Sequence, residues 1–346
     1  KKKTKIIFTK KIENSINKNY FNLLKFQFNY YENIKKSFEK IIKKNDIDHV
    51  YVNTIDFFDK PISILGSPFK EVKFSALYLN PKFYKNFTYL SQNFFKKNIY
   101  EALFRRLINI KSLDNLFFVD PLCYQYLKNQ KTKFNKICYV EDLGTGNIEK
   151  KIILKKKYCR KILNINEKDF IILVYGKIRL NKCLSELFAV LKYINNQNKI
   201  KILIAGEQDE MTKIYIKNKL KRSKYLRNKV IIINRYIPDK MEHIIFRASD
   251  LTWTGYSKDF YGSSGVFFLS CLNRIPVITS DHGVIGWYGK IFKVGKSVDL
   301  ENKTKLIKTI NAIFKKKIKY NFNEVNKKHN FINFGKKISR QLSKSF

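Results

Sequence analysis

The amino-acid sequence predicts an α/β protein of two domains, each built on a doubly wound parallel sheet, the two facing each other across a cleft. Three observations lead there. Through the second half, short β-rich runs alternate with amphipathic stretches, and alternation of this kind builds parallel sheets. The first half repeats the pattern less clearly. The chain also has 346 residues, 44% of them apolar, which is enough for two separate cores.

In the first half the predicted strands are "DHVYVNTID" (residues 48–56), "VKFSALYLN" (72–80), "LDNLFFVDP" (113–121) and "NKICYVEDL" (135–143). Helices such as "YENIKKSFEKIIKK" lie between them. The segment "GTGNIEKK" (144–151) reads as the interdomain connector. Beyond it come "FIILVYG" (170–176), "KILIAGE" (201–207), "KVIIINRYI" (229–237), "LTWTGY" (251–256), "IPVITSD" (275–281) and "KIFKV" (290–294) as strands. The intervening "CLSELFAVLKYI", "EMTKIYIKNKLKRS", "PDKMEHIIFRAS" and "GSSGVFFLSCLNR" read as helices. The third of these starts with proline and acids, as the helix dipole favours. The expected division is residues 1–150, 151–321 and a final helix over 322–346 packing back across the joint.

Composition excludes several classes. The formal charge of +42 suggests nucleic acid, but it is spread evenly along a chain with no zinc-finger spacing, RNA-recognition signature or arginine-rich tract. Specific nucleic-acid binding is therefore not expected. Diffuse lysine fits peripheral contact with an anionic membrane surface instead. The five cysteines are scattered, odd in number and without a CxxC pair, which points to a reducing, cytoplasmic setting and away from structural zinc. No apolar stretch approaches membrane-spanning length. The chain starts without methionine and its first glycine is Gly66, which leaves two readings: a missing upstream segment, or a first domain that has diverged.

Glycine is scarce, yet Gly262, Ser263, Ser264 and Gly265 stand together where "LTWTGY" leads into an apolar helix. In an open parallel sheet, ligands collect at the carboxyl ends of the strands. Small residues there let backbone N–H groups approach an anion, and the helix N-terminus adds partial positive charge. The alternative is a capped helix whose serines satisfy orphan amides. Two neighbouring loops favour the anion. "YGKIRLNKC" brings Lys177, Arg179 and Lys182 to another strand end, and "ITSDHGVIG" brings Asp281, His282, Gly283 and Gly286 to a third.

The order "VYGKIRLNKCLSELF … ILIAGE … YIPDKMEHIIFRASDLTWTGY … GSSGVFFLSCLNRIPVITSDHGVIG", over residues 158–294, resembles the donor domain of GT-B glycosyltransferases, family four (group 1) in particular. "LFFVDP … YVEDLG … CRKILNINEKD" resembles the link between the halves of such enzymes. The resemblance implies two Rossmann-like domains. In the family a glycine–cation loop and a helix N-terminus hold the nucleoside diphosphate, roles that fall on Lys177, Arg179, Lys182 and residues 262–265. This chain departs at the family's paired glutamates, where Tyr261 and Leu269 stand, and at the cation loop, where Cys183 replaces glycine.

Chemistry requires cations for the leaving diphosphate and help for the acceptor hydroxyl to lose its proton. Lys182 and Arg179 are the candidates for the first, with Lys177 as the alternative clamp. Asp56 is the candidate for the second; Asn80, Lys82 and Asp120 are further strand-end polar residues. His282 is expected to contact donor sugar or phosphate. No Asp-x-Asp pair stands at a strand end in the second half, so no metal site and no cofactor are expected. The reading is a retaining, metal-independent glycosyltransferase using a nucleotide-diphosphate sugar and a glycan, lipid-linked or protein acceptor. A GT-B protein that binds nucleotide sugar or glycan without turnover, or a sugar-nucleotide epimerase, is the alternative.

Overall fold

The computed structural model describes residues 20–81, 83, 94–130, 135–144, 154–195, 197–315 and 318–344. Lys82, the start of the chain and most of the expected connector lie outside the described residues. The chain forms two compact units: residues up to Val140 together with those from Lys336 onward, and Glu141–Gly335.

The first unit carries a four-stranded parallel sheet in the order β1 (His49–Val52), β2 (Lys73–Tyr78), β3 (Leu113–Phe118), β4 (Ile137–Tyr139). Its helices are α1 (Tyr20–Ile42), α2 (Asp59–Leu65), α3 (Phe94–Ile108) and α4 (Pro121–Lys128). Phe74, Ala76 and Tyr78 of β2 alternate along the strand, so all three point into one core with Leu116 and Phe118. Asp56 does not stand free. Its carboxylate accepts hydrogen bonds from Thr54 Oγ1 (2.5 Å) and from the amides of Leu79 (2.9 Å) and Asn80 (2.7 Å), clasping the loops after β1 and β2.

Asp120 is the N-cap of α4, accepting from the amides of Leu122 and Cys123. Burial pushes its carboxyl from an ordinary value near 3.8 up to about 6, against the pull of those two hydrogen bonds. A carboxyl raised on folding contributes stability that is complete below its unfolded pKa and lost as pH rises through the folded one. Asp120→Asn keeps the cap and removes the buried charge. At about 1.4 kcal/mol per pH unit of displacement, the variant should be more stable than wild type above neutrality by up to about 3 kcal/mol. Urea titrations at several pH values check this, with the advantage vanishing toward about pH 4; equal stabilities throughout would contradict it.

On three adjacent strands of the sheet, Ser75, His49 and Asp114 resemble a nucleophile triad, with His49 Nε2 3.0 Å from Ser75 Oγ and Nδ1 3.8 Å from Asp114. Ser75 is fully buried, so no substrate reaches it. Asn115 bonds Ser75 and is bonded by Gln341, which ties the end of the chain to this unit.

The second unit is a six-stranded parallel sheet of β5 (Phe170–Tyr175), β6 (Ile200–Ala205), β7 (Val230–Ile233), β8 (Leu251–Thr254), β9 (Val277–Ser280) and β10 (Gly295–Val298). Its order is β10-β9-β8-β5-β6-β7, so the chain starts in the middle, runs to one edge, and returns to build the other. Along β5, Phe170, Ile172 and Val174 enter one core while Ile171, Leu173 and Tyr175 enter the opposite one. A strand buried on both faces reads as an unbroken apolar run, which is why "FIILVY" is legible. Its helices are α5 (Lys156–Ile162), α6 (Leu184–Val190), α7 (Glu210–Arg222), α8 (Lys224–Arg227), α9 (Asp239–Ala248), α10 (Gly265–Leu272), α11 (Gly283–Ile291), α12 (Lys303–Phe314) and α13 (Phe322–Lys328); α14 (Phe331–Leu342) starts here and belongs to the first unit from Lys336 onward.

Two expectations fail here. "KIFKV" is not a strand: Lys290 and Ile291 finish α11, and the edge strand begins at Gly295. The buried Val284, Ile285, Tyr288 and Phe292 follow helical spacing, which overrides the local β-propensity. The single final helix is two, because His329 takes a non-helical conformation between α13 and α14. Among the described residues no helix is long and apolar enough to cross a membrane.

Candidate functional site

In a sheet wound in both directions, the crevice opens where adjacent strands send their connections opposite ways. Here that point lies between β5 and β8, which pair directly while their chains depart toward β6 and β9. The two loops at their carboxyl ends are residues 176–183 and 255–264, and the structure joins them. Ser257 N donates to Asn181 O (2.9 Å), and Trp253 Nε1 donates to Lys182 O (2.7 Å).

The loop after β5 is an extension of the sheet. Gly176 N bonds Ala205 O (3.1 Å), Ile178 N bonds Glu207 O (2.8 Å), and Asp209 N bonds Ile178 O (3.2 Å). Gly206, at φ +134°, makes this fit possible, since an added Cβ would lie 1.9 Å from Gly176 O. Lys177 and Arg179 emerge from this loop into solvent and form no ion pair among the described residues. Lys182, at the end of a short 3₁₀ turn, is only 6% exposed. Its Nζ donates to Tyr256 Oη (3.2 Å) and lies 5.0 Å from the centre of that ring. No carboxylate pairs with it among the described residues.

Tyr256 Oη also bonds Ser264 Oγ (2.9 Å). Ser264 is the N-cap of α10, yet its side chain accepts from no amide of that helix. The simple capping alternative is therefore not what Ser264 does. Ser263 Oγ donates to Asp142 Oδ2, so its proton is already engaged and does not point free into the crevice. Burial raises the Asp142 carboxyl above the usual carboxylate range, opposed by the bonds from Ser263 and from the amides of Leu143 and Gly144. Gly262 and Gly265 leave open space: a Cβ on Gly262 meets only Phe260 Cζ at 3.7 Å, and one on Gly265 meets nothing within 4 Å.

At the third strand end, Gly283 has φ +63°, and an added Cβ would sit 2.8 Å from Tyr261 Cα. Val284 N bonds Tyr261 O (2.9 Å), so this loop leans on the second. His282 Nε2 donates to Ser257 O (3.0 Å), which makes the ring a clasp on the loop after β8. Asp281 is exposed, with Oδ1 3.7 Å from His282 Nδ1. Tyr261 and Leu269 occupy α10's approach and face, the first buried and the second partly buried in the apolar core. Among the described residues no group of three or more His, Cys, Asp or Glu gathers as a metal site would need.

The structure thus unites Lys182, Ser264, Gly262 and Gly265 around one crevice, and sets Ser263, His282 and Gly283 in its supporting loops. Asp56 belongs to the other unit. Sequence reasoning missed Tyr256 and Asp142. Tyr256 reads as the tail of a strand, and Asp142 is remote in sequence from its partner Ser263.

No curated protein sequence matches the chain. Its fold is similar to sucrose-phosphate synthase from Thermosynechococcus elongatus, at TM-score 0.72 and 15% identity, covering 93% of this chain and 80% of that one. It is also similar to HepE of Anabaena, solved in complex with UDP, at TM-score 0.66 and 13% identity, covering 93% and 82%. WaaG, a glycosyltransferase involved in lipopolysaccharide biosynthesis, matches at TM-score 0.59 and 12% identity, covering 88% and 76%. These likenesses carry the fold, which is GT-B. The family model described as glycosyl transferases group 1 matches residues 155–338, more than half of the chain and all of the crevice, and the chain belongs to that family of glycosyltransferases.

Proposed function

We propose that this glycosyltransferase takes its sugar from a nucleoside-diphosphate donor, held between the loop after β5 and the start of α10, and needs no divalent metal to do so. The observation that carries this reading is the buried, unpaired Lys182 ammonium beside the uncapped N-terminus of α10. A buried cation without a counterion is costly, and a diphosphate supplies the missing charge. As the glycosidic bond breaks, negative charge grows on the leaving diphosphate. Lys182, the helix amides and the mobile-length side chains of Arg179 and Lys177 stabilise it more than they stabilise the ground state. The similarity to a HepE structure holding UDP-glucose supports the donor class. Retention of configuration, a glycan or lipid-linked acceptor, and a cytoplasmic setting beside an anionic membrane follow the family resemblance and the diffuse lysine charge. Asp56 is given no chemical role, since three hydrogen bonds already engage its carboxylate within the first unit.

The test is calorimetric titration of UDP and GDP with EDTA present, followed by assay of sugar release from UDP- and GDP-sugars. Binding in EDTA with turnover is expected. Binding that demands Mg²⁺ overturns the metal-free clamp. Binding without any turnover favours the second reading, a nucleotide-sugar binding protein, for which Tyr261 and Leu269 at the family's glutamate positions speak.

A further inference from the structure

Two hydroxyl groups meet in the crevice, and between them they have one hydrogen too many. Tyr256 is 7% exposed and Ser264 5%, and their oxygens are 2.9 Å apart. Each brings one O–H hydrogen, but a single contact uses only one of them. The other is left in a buried setting, where an unused donor calls for an acceptor. Lys182 biases which hydrogen it is. An ammonium can only donate, and Lys182 Nζ points at Tyr256 Oη from 3.2 Å. The phenol oxygen accepts from Lys182, which polarises its O–H and favours donation to Ser264 Oγ over a second acceptance from it. Ser264 then holds the spare hydrogen. It does not use its oxygen to cap α10 but bonds Tyr256.

We infer that Tyr256 is a positioning residue that sets the direction of this relay, so that the Ser264 hydroxyl and the remaining Lys182 donors are offered to the same oxyanion group. The inference rests on the nucleoside-diphosphate reading above and adds to it the residue that organises the contact. Tyr256 is well held for the task. Its ring stacks on Phe260 at 4.0 Å and 18°, and it carries the Lys182 ammonium over its face. It lies in the loop that leaves β8, so one side chain couples the cation of one strand end to the helix start of the other.

The experiment compares wild type, Tyr256→Phe, Ser264→Ala and the double variant in calorimetric titrations of UDP in EDTA, with uridine measured as a competitor. Phenylalanine keeps the stack on Phe260 and the ring beneath Lys182, and removes only the oxygen. Each single variant is expected to lose roughly tenfold in UDP affinity, the loss of one charge-assisted contact. The double variant should lose little more than either, because both break one relay. Uridine, which has no phosphate, should bind all four alike. The inference is overturned if Tyr256→Phe binds UDP as wild type does, if the two losses multiply, or if uridine weakens in parallel, since the last would mean a general loosening of the site. Wild-type protein that binds neither UDP nor inorganic pyrophosphate overturns the donor reading itself; wild-type binding with an unaffected Tyr256→Phe overturns this inference alone.

Discussion

Replacing Lys182 by alanine is expected to weaken UDP binding by roughly ten- to a hundredfold in EDTA while leaving the unliganded protein no less stable than wild type. The two halves of that result come from the same fact. Lys182 is 6% exposed, and its ammonium meets a phenol and an aromatic face, with no carboxylate among the described residues. Removing a desolvated charge that lacks a counterion relieves the empty protein. With diphosphate bound, the same ammonium has its counterion in a site of low dielectric, where charge-assisted contacts are strongest. Arg179→Ala, at an exposed position, should cost less because solvent screens its charge. Calorimetry for affinity and thermal melting for stability give the two readouts. A Lys182→Ala protein that binds UDP normally would remove the clamp, and one that melts far below wild type would recast Lys182 as a structural cation.

Gly262→Val is expected to fold and to lose UDP binding by roughly a hundredfold or more, about 2.7 kcal/mol upward. Gly262 has an ordinary φ, and an added Cβ touches only Phe260 Cζ at 3.7 Å, so the fold makes no demand for glycine there. What glycine offers is an uncovered backbone at the entry to α10, and a branched side chain would stand where phosphate oxygens approach the amides. Gly206→Ala is the informative contrast. Its φ of +134° and the 1.9 Å approach to Gly176 O mean that any side chain must displace backbone, so this variant should be destabilised before ligand is added. Circular dichroism and UDP titration on both variants separate the cases. Normal UDP affinity in folded Gly262→Val would refute the cradle.

The second unit was largely legible because its inner strands are buried on both faces. "FIILVY" and "KILIA" admit no helical face, and each is followed by a glycine at the strand end. Lys182 could be named as a cation in a strand-end loop, but its burial could not, since that depends on Trp253 and Tyr256 folding over it from a strand some seventy residues later. Tyr256 carries no local signal at all; its role exists only in three dimensions. The partner of Ser263 was hidden for a related reason. The serine's proton goes to Asp142, which lies 121 residues earlier. "KIFKV" misled because Lys290 and Ile291 finish a helix whose buried spacing begins at Val284, and Phe292 is its extended C-cap. The carboxylate of Asp56 was legible as a strand-end acid, but not as a clasp, because the amides that hold it belong to the next strand's loop.

The hydrogen bonds that carry β5 and β6 past their ends, through Gly176, Ile178 and Asp209, have a kinetic consequence. A cation loop stitched into a sheet has little ordering left to do when a ligand arrives, so association meets no slow closing step at this loop. Arrival is then governed by diffusion and by the attraction of a strongly positive surface, and it slows as salt is added. Departure is governed by the contacts themselves. Substitutions at Lys182, Tyr256 and Ser264 should therefore leave the association rate of UDP nearly unchanged and shorten its residence time, the pattern of a rigid site whose affinity is written in how slowly it lets go.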